Sequence, residues 1–207
     1  MSTMLSNAEV LDTRFRSALR RMAAAGRLHT YDAPANPELE IAGIMKRRDG
    51  GPAILFTRPT GHEMPVLGNL LSSKENVEAA FGADFRAIRG FVGRAIGNPI
   101  PPQHTAHVPV QEVVRREGID LGAMFPALKH APGDAGRYFT AGIVVVRDPR
   151  TGVYNASYHR LMIAGPDRVA IKLDYGRHLR FAFERAKEDG RHLEVVVVLG
   201  ADIALHY

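Results

Sequence analysis

Four residues in the second half of the chain have side chains suited to an anion held beside a metal ion: Asn155, Ser157, Arg160 and His178. An amide carbonyl oxygen and an imidazole nitrogen suit a divalent ion of the Mn or Mg type, with phosphate oxygens filling further positions. A serine hydroxyl donates to the same phosphate. An arginine is always charged and offers a bidentate fork to carboxylate or phosphate. Asn155, Ser157 and Arg160 stand at i, i+2 and i+5 on a segment that reads as a strand, fed by the turn Asp148-Pro149-Arg150-Thr151-Gly152. Side chains alternate along a strand, so Asn155 and Ser157 share one face and Arg160 has the opposite parity. A bend or bulge near Tyr158 is needed to bring all three to one site. His178 follows Arg160 by 18 residues and opens a predicted helix, whose N-terminus favours an anion. Taken by spacing alone, the same residues also read as a solvated strand face, a surface arginine and a helix-start histidine. Asn-x-Ser-x-x-Arg is a short pattern that needs context.

The elements that must position these residues are legible in outline. Residues 138–146 are β-branched and predict a strand, 153–163 its return, and 169–173 a third strand. Residues 178–187 predict a helix stopped by Asp189-Gly190, and 194–199 a fourth strand of nearly continuous valine. This β-β-β-α-β order does not close a barrel. It leaves strand edges open unless more chain, or another chain, completes the sheet.

The first half predicts an amphipathic helix over 7–25, stopped by Gly26, and a second short helix opened by Asn36-Pro37-Glu38. A short buried strand is expected over 53–56 and another over 65–70, with Pro/Gly turns before each. Helices follow from Ser73 to Phe81 and over 85–96. The Pro-rich stretch 97–109 reads as a connector, its His104 and His107 as surface residues, and 119–126 as a short link. The fold class is therefore α/β (α+β): an N-terminal α/β domain over 1–125, then an incomplete β-barrel domain over 126–207.

Composition narrows the function. The 207 residues are 45% hydrophobic, enough for a real core. With no cysteine, disulfide scaffolds and thiolate-bound metals are excluded. The longest apolar runs fall short of a membrane span, and Arg14, Arg16, Arg20 and Arg21 interrupt any signal-peptide core. A soluble cytoplasmic protein is expected. The net charge of +5 is spread over the chain without a tail or aromatic-interleaved stripe, which points to anion ligands or a solvated surface rather than nucleic acid.

Several segments, in order, resemble the UbiD-family decarboxylases that use prenylated FMN. Gly51-Pro52-Ala53-Ile54-Leu55-Phe56 and Met64-Pro65-Val66-Leu67-Gly68-Asn69-Leu70 are similar to that family's N-terminal domain. Asp134-x-Gly136-Arg137-Tyr138-Phe139-Thr140, then Asp148 to Asn155, then Val195 to Gly200 are similar to its cofactor domain. The resemblance implies a split β-barrel of the flavin-reductase-like type. It implies that Asn155 and His178 are ligands of a Mn2+ ion bridging the cofactor phosphate, with K+ as a further candidate ion. Ser157 would lie at the same phosphate, and Arg160 would contact cofactor and substrate carboxylate as the catalytic arginine. Members of the family are commonly more than twice this long. The third metal carboxylate and the catalytic glutamates would lie beyond Tyr207, so this chain is expected to be a fragment or one chain of a split enzyme, inactive alone.

The implied reaction is reversible decarboxylation of an aromatic or α,β-unsaturated carboxylic acid, the cofactor acting as electron sink. The partners implied are that small-molecule acid and either a homo-oligomer or a complementary C-terminal chain. The alternative is a non-catalytic accessory or assembly subunit that binds flavin weakly or not at all. A generic FMN-binding oxidoreductase barrel would leave the N-terminal segments unexplained.

Overall fold

The computed structural model describes residues 11–101, 103, 105, 106 and 108–207. The expectations for His104, His107 and the first ten residues lie outside these. Helix α1 (Phe15–Ala24) is shorter than its apolar periodicity predicts. The backbone N–H and guanidinium of Arg14 both bond the Asp12 carboxylate, and residues 11–14 stay non-helical. That pairing holds the Asp12 carboxyl well below the usual carboxylate range. Gly26, at φ 66°, ends the helix as expected.

Strand β1 (Leu28–Tyr31) was not predicted. Four residues with exposed central side chains carry little pattern, and the strand exists because it pairs in parallel with β2 (Ala53–Phe56) across helix α2 (Glu40–Arg47). Strand β3 (Val66–Gly68) pairs antiparallel on the other side of β2. The apolar run of β2 is thereby explained. Ala53 packs with Ala18, Met22 and Phe81 on one face, while Ile54 and Phe56 pack with Ala35, Ile41 and Leu128 on the other. Helix α2 begins at Glu40, later than its Pro37 signal, because Leu39 takes φ 70°.

Helix α3 (Lys74–Phe81) is capped as its sequence predicts, by Ser73 Oγ accepting from the Asn76 N–H at 3.2 Å. Gly82 closes it in the left-handed region at φ 68°, and a Cβ there would stand 2.8 Å from Arg21 Cδ. Arg21 is held in place by its bond to the Ala80 carbonyl. Gly82→Ala is therefore expected to lower stability by about 1–2 kcal/mol, the strain of a left-handed alanine. A urea titration showing no loss would remove this account of the cap.

Helix α4 (Phe85–Gly97) starts at an Asp84 cap. A single 3-10 turn, Pro109–Gln111, follows in the connector. The predicted link at 119–126 contains a short helix, α5 (Leu121–Met124), because Asp120 Oδ1 accepts from the Ala123 N–H at 3.0 Å.

The second half follows the predicted order. Strands β4 (Tyr138–Arg147), β5 (Tyr154–Gly165) and β6 (Arg168–Ile171), helix α6 (His178–Glu188) and β7 (Val195–Val198) form an antiparallel sheet in the order β6-β5-β4-β7. The sheet curls into a half-barrel. Helix α6 lays Leu179 and Ala182 on Val144, Val146 and Leu161. A last helix, α7 (Ile203–His206), was not predicted. It buries Ile203 among Met22, Phe81 and Ile88, tying the half-barrel to the N-terminal helices. The valines of β7 lie on a free sheet edge of the kind expected, with Val195, Val196 and Val197 50, 61 and 39% exposed. Among the described residues, no helix is long and apolar enough to cross a membrane.

Candidate functional site

Strand β5 keeps strict alternation across the segment of interest. Asn155, Ser157 and His159 are half-buried, while Tyr154, Ala156, Tyr158 and Arg160 are exposed. Asn155 pairs with Val146 and Ser157 with Val144. Paired residues share a face, so the half-buried set lies on the side that α6 covers.

On that face four side chains form a continuous polar ladder. His178, the first residue of α6, places Nδ1 3.1 Å from Asn155 Oδ1. The Asn155 amide donates to Ser157 Oγ at 3.3 Å. Ser157 Oγ stands 3.0 Å from His159 Nε2. His159 is the member that motif reading missed. Its signal was the alternation itself, which puts i, i+2 and i+4 on one face. Burial pushes its imidazole pKa down, opposed by the charge of Asp174.

Arg160 does not join the ladder. The sheet does contain a register shift, but it falls in β4. Leu161 pairs with Phe139 and His159 with Gly142, so Thr140 and Ala141 together face Arg160 alone. The parity of β5 is unchanged by this. Arg160 points to the other face, into an open cavity of about 900 Å³ that it lines with Tyr138, Tyr158, Met162 and Lys172. His159 is also among the residues that line that cavity. Gly142 permits the close approach at the shift, because a Cβ there would meet Leu161 Cδ1 at 2.7 Å.

The Asn155–His178 pair fits a divalent ion. Two ligands at right angles on an ion with bonds of about 2.1 Å stand about 3.0 Å apart. The observed 3.1 Å is a hydrogen bond between these two atoms, at a separation that an ion bound to both would also give. The donor set of one amide oxygen and one imidazole suits Mn or Mg. Among the described residues no group of three or more His, Cys, Asp or Glu side chains forms a metal cluster, so these two atoms form a corner rather than a cage. Helix α6 begins without a side-chain cap, which leaves its first N–H groups for an anion.

The turn before β5 braces this corner from a distance. Asp148 Oδ1 accepts the N–H groups of Arg150 and Thr151 at 2.9 and 3.0 Å, and Arg185 of α6 pairs with Oδ2. Arg150 reaches across to Glu188 and Asp189 at 2.8 and 3.0 Å. The turn and the far end of α6 are thus tied together, which fixes the axis along which His178 is presented. The Thr151 N–H, then that of Arg150 and the Arg185 guanidinium, hold the Asp148 carboxyl down at about 2, against the opposing effect of burial. A carboxyl depressed in the folded state contributes stability above its unfolded pKa, and this is lost as pH falls through the folded value. The wild type is therefore expected to lose stability between about pH 4 and pH 2 on this account. Asp148→Asn is expected to melt lower at pH 7 and to lose less on acidification. Parallel acid limbs for the two proteins would show that Asp148 is not a brace.

The fold and this geometry together define an α/β protein whose half-barrel sets an Asn–His contact beside an uncapped helix end. Residues 19–95 match the 3-octaprenyl-4-hydroxybenzoate carboxy-lyase N-terminal domain, and residues 103–207 match the 3-octaprenyl-4-hydroxybenzoate carboxy-lyase Rift-related domain. The chain belongs to the UbiD family. It is 33% identical over 196 residues to an anhydromevalonate phosphate decarboxylase of Methanosarcina mazei, covering 93% of this chain and 44% of that protein. An evolved dimeric form of the UbiD-class enzyme HmfF from Pelotomaculum thermopropionicum, solved in complex with prFMN, superposes with a TM-score of 0.86 at 36% identity, covering 92% of this chain and 45% of that one. The vanillic acid decarboxylase of Sedimentibacter hydroxybenzoicus shares the fold, with a TM-score of 0.87 at 22% identity over 95% of this chain and 44% of that one. The chain thus spans less than half the length of these relatives.

Proposed function

We propose that this chain is the amino-terminal part of a UbiD-type carboxy-lyase, working within a longer polypeptide or beside a complementary chain. The reaction is reversible decarboxylation of an aromatic or α,β-unsaturated carboxylic acid. Residues 1–125 form the α/β domain and 126–207 the first part of the cofactor-binding barrel. The observation that carries this reading is the 3.1 Å contact of His178 Nδ1 with Asn155 Oδ1 in a UbiD-family chain. It is supported by family relatives that are decarboxylases and by a structural relative solved with prFMN.

Prenylated FMN, when bound, supplies the electron sink for loss of CO2. Asn155 and His178 would hold Mn2+, and Ser157 would lie beside the cofactor phosphate. The bare N-terminus of α6 adds backbone donors. From the opposite face Arg160 binds the substrate carboxylate in the cavity, with Tyr158 and Met162 as its walls. Arg160 orients that group and excludes other poses. The proton donor comes from the rest of the enzyme.

One observation favours a second reading, a non-catalytic accessory or assembly subunit. The exposed valines of β7 offer a free strand edge for another chain, or a second copy, to extend. Native mass spectra with and without prenylated FMN and Mn2+ separate the two. Joint, metal-dependent uptake supports the enzyme reading. A folded chain that takes up neither, yet forms a defined complex with a second chain, supports the accessory one.

A further inference from the structure

We propose that His159 is a positioning residue for the Asn155 amide: its Nε2 accepts the Ser157 hydroxyl proton and so holds the Ser157 oxygen as a fixed acceptor for the Asn155 NH2. This rests on the reading of Asn155, Ser157 and His178 as the phosphate and metal corner. The argument starts from the direction of the ladder. The Asn155 amide turns its oxygen to His178 and its NH2 to Ser157. Ser157 Oγ therefore already accepts one hydrogen bond, at 3.3 Å, from a group that has no choice but to donate. Its own O–H is free to rotate, and the next polar atom within reach is His159 Nε2 at 3.0 Å. A neutral imidazole accepts there when its other nitrogen, Nδ1, carries the proton.

The hydroxyl is thus held between two side chains of one strand face, with its rotamer settled before any ligand arrives. Preorganised donors and acceptors lose little entropy on binding. Removal of the Nε2 acceptor frees the Ser157 rotamer and leaves the Asn155 amide with a mobile partner, which loosens the same amide whose oxygen is the metal ligand.

The test has two arms. In the ligand-free protein, 15N-detected NMR of the imidazoles is expected to show His159 with Nδ1 protonated and Nε2 as acceptor. Ser157→Ala is expected to shift the His159 Nε2 resonance. An Nε2-protonated ring, or a resonance indifferent to Ser157→Ala, overturns the proposal. In the second arm FMN is titrated in the presence of Mn2+. Support for a metal ligand or its anion is worth about 10–100-fold in affinity. His159→Leu is expected to weaken binding by about 10-fold, with His159→Gln, which keeps an acceptor, recovering most of it. The double variant Ser157→Ala/His159→Leu is expected to bind no worse than Ser157→Ala alone. Unchanged binding in His159→Leu, or additive losses in the double variant, overturns the proposal. A wild-type chain that binds no FMN at all counts against the phosphate corner itself, while the NMR arm still decides whether His159 holds Ser157.

Discussion

Asn155→Ala and His178→Ala are each expected to weaken Mn2+-dependent FMN binding by about 100-fold or more. Loss of a supporting residue behind a metal ligand already costs about 10–100-fold, and in the proposed function these two supply the ligand atoms themselves. Neither substitution disturbs the core. Asn155 and His178 are partly exposed, and the apolar contact between α6 and the sheet runs through Leu179, Ala182 and Val144. Melting temperatures close to wild type are therefore expected, which separates a binding defect from unfolding. Arg160→Ala provides the contrast. Arg160 lies on the opposite face of β5, so Mn2+ affinity should survive its loss even where substrate handling does not. Flavin fluorescence titrated with and without Mn2+ reads all three. Equal FMN affinity in Asn155→Ala and wild type, at saturating Mn2+, would end the two-ligand account.

Asn76→Leu is expected to destabilise the fold by about 2–6 kcal/mol, from the loss of partners to buried groups at about 1–3 kcal/mol each. Asn76 is fully buried, and its amide donates to the carbonyls of Gly51 and Asn69 at 3.0 and 2.9 Å. Its oxygen accepts from Arg27 Nε at 2.9 Å. One side chain thus joins α3, the turn before β2, the segment after β3 and the residue before β1. Leucine fills a similar volume but satisfies none of these groups, and the Arg27 guanidinium keeps its bond to Ser73 Oγ. At roughly 2–4 °C per kcal/mol for a chain of this size, a drop of about 10 °C in melting temperature is expected. Asn76→Asp tests the mechanism: it keeps an acceptor for Arg27 but turns an oxygen against two carbonyls, and it should also melt low. A melting temperature within about 2 °C of wild type for Asn76→Leu would show that water replaces the network.

Asn76 also shows where sequence reading stops. It stands beside the Ser73 cap, and in sequence it looks like one more polar residue of a helix start. Nothing local says that the Gly51 and Asn69 carbonyls and the Arg27 guanidinium converge on it. Strand β1 was missed for a related reason. Its four residues alternate weakly, and its existence depends on the parallel pairing with β2. Helix α7 is a single turn whose stability comes from Ile203 in a cluster built by residues more than a hundred positions earlier. In contrast, β2, β4, β5 and the Ser73 and Gly82 caps were readable, because apolar runs, alternation and cap residues act over a few positions.

The candidate site divides along the same line. The sequence by itself determined that Asn155 and Ser157 share a face, that Arg160 opposes them, and that Asp148 to Gly152 turns the chain into β5. Each is a property of an extended backbone or a tight turn, and each follows from local geometry. Only the tertiary structure decided that His178 stands against Asn155, that the register shift falls in β4 rather than β5, and that His159 completes the ladder. A helix N-terminus reaches a strand only where packing of Leu179 and Ala182 on the sheet puts it, and a bulge forms in whichever strand the pairing cannot keep in step.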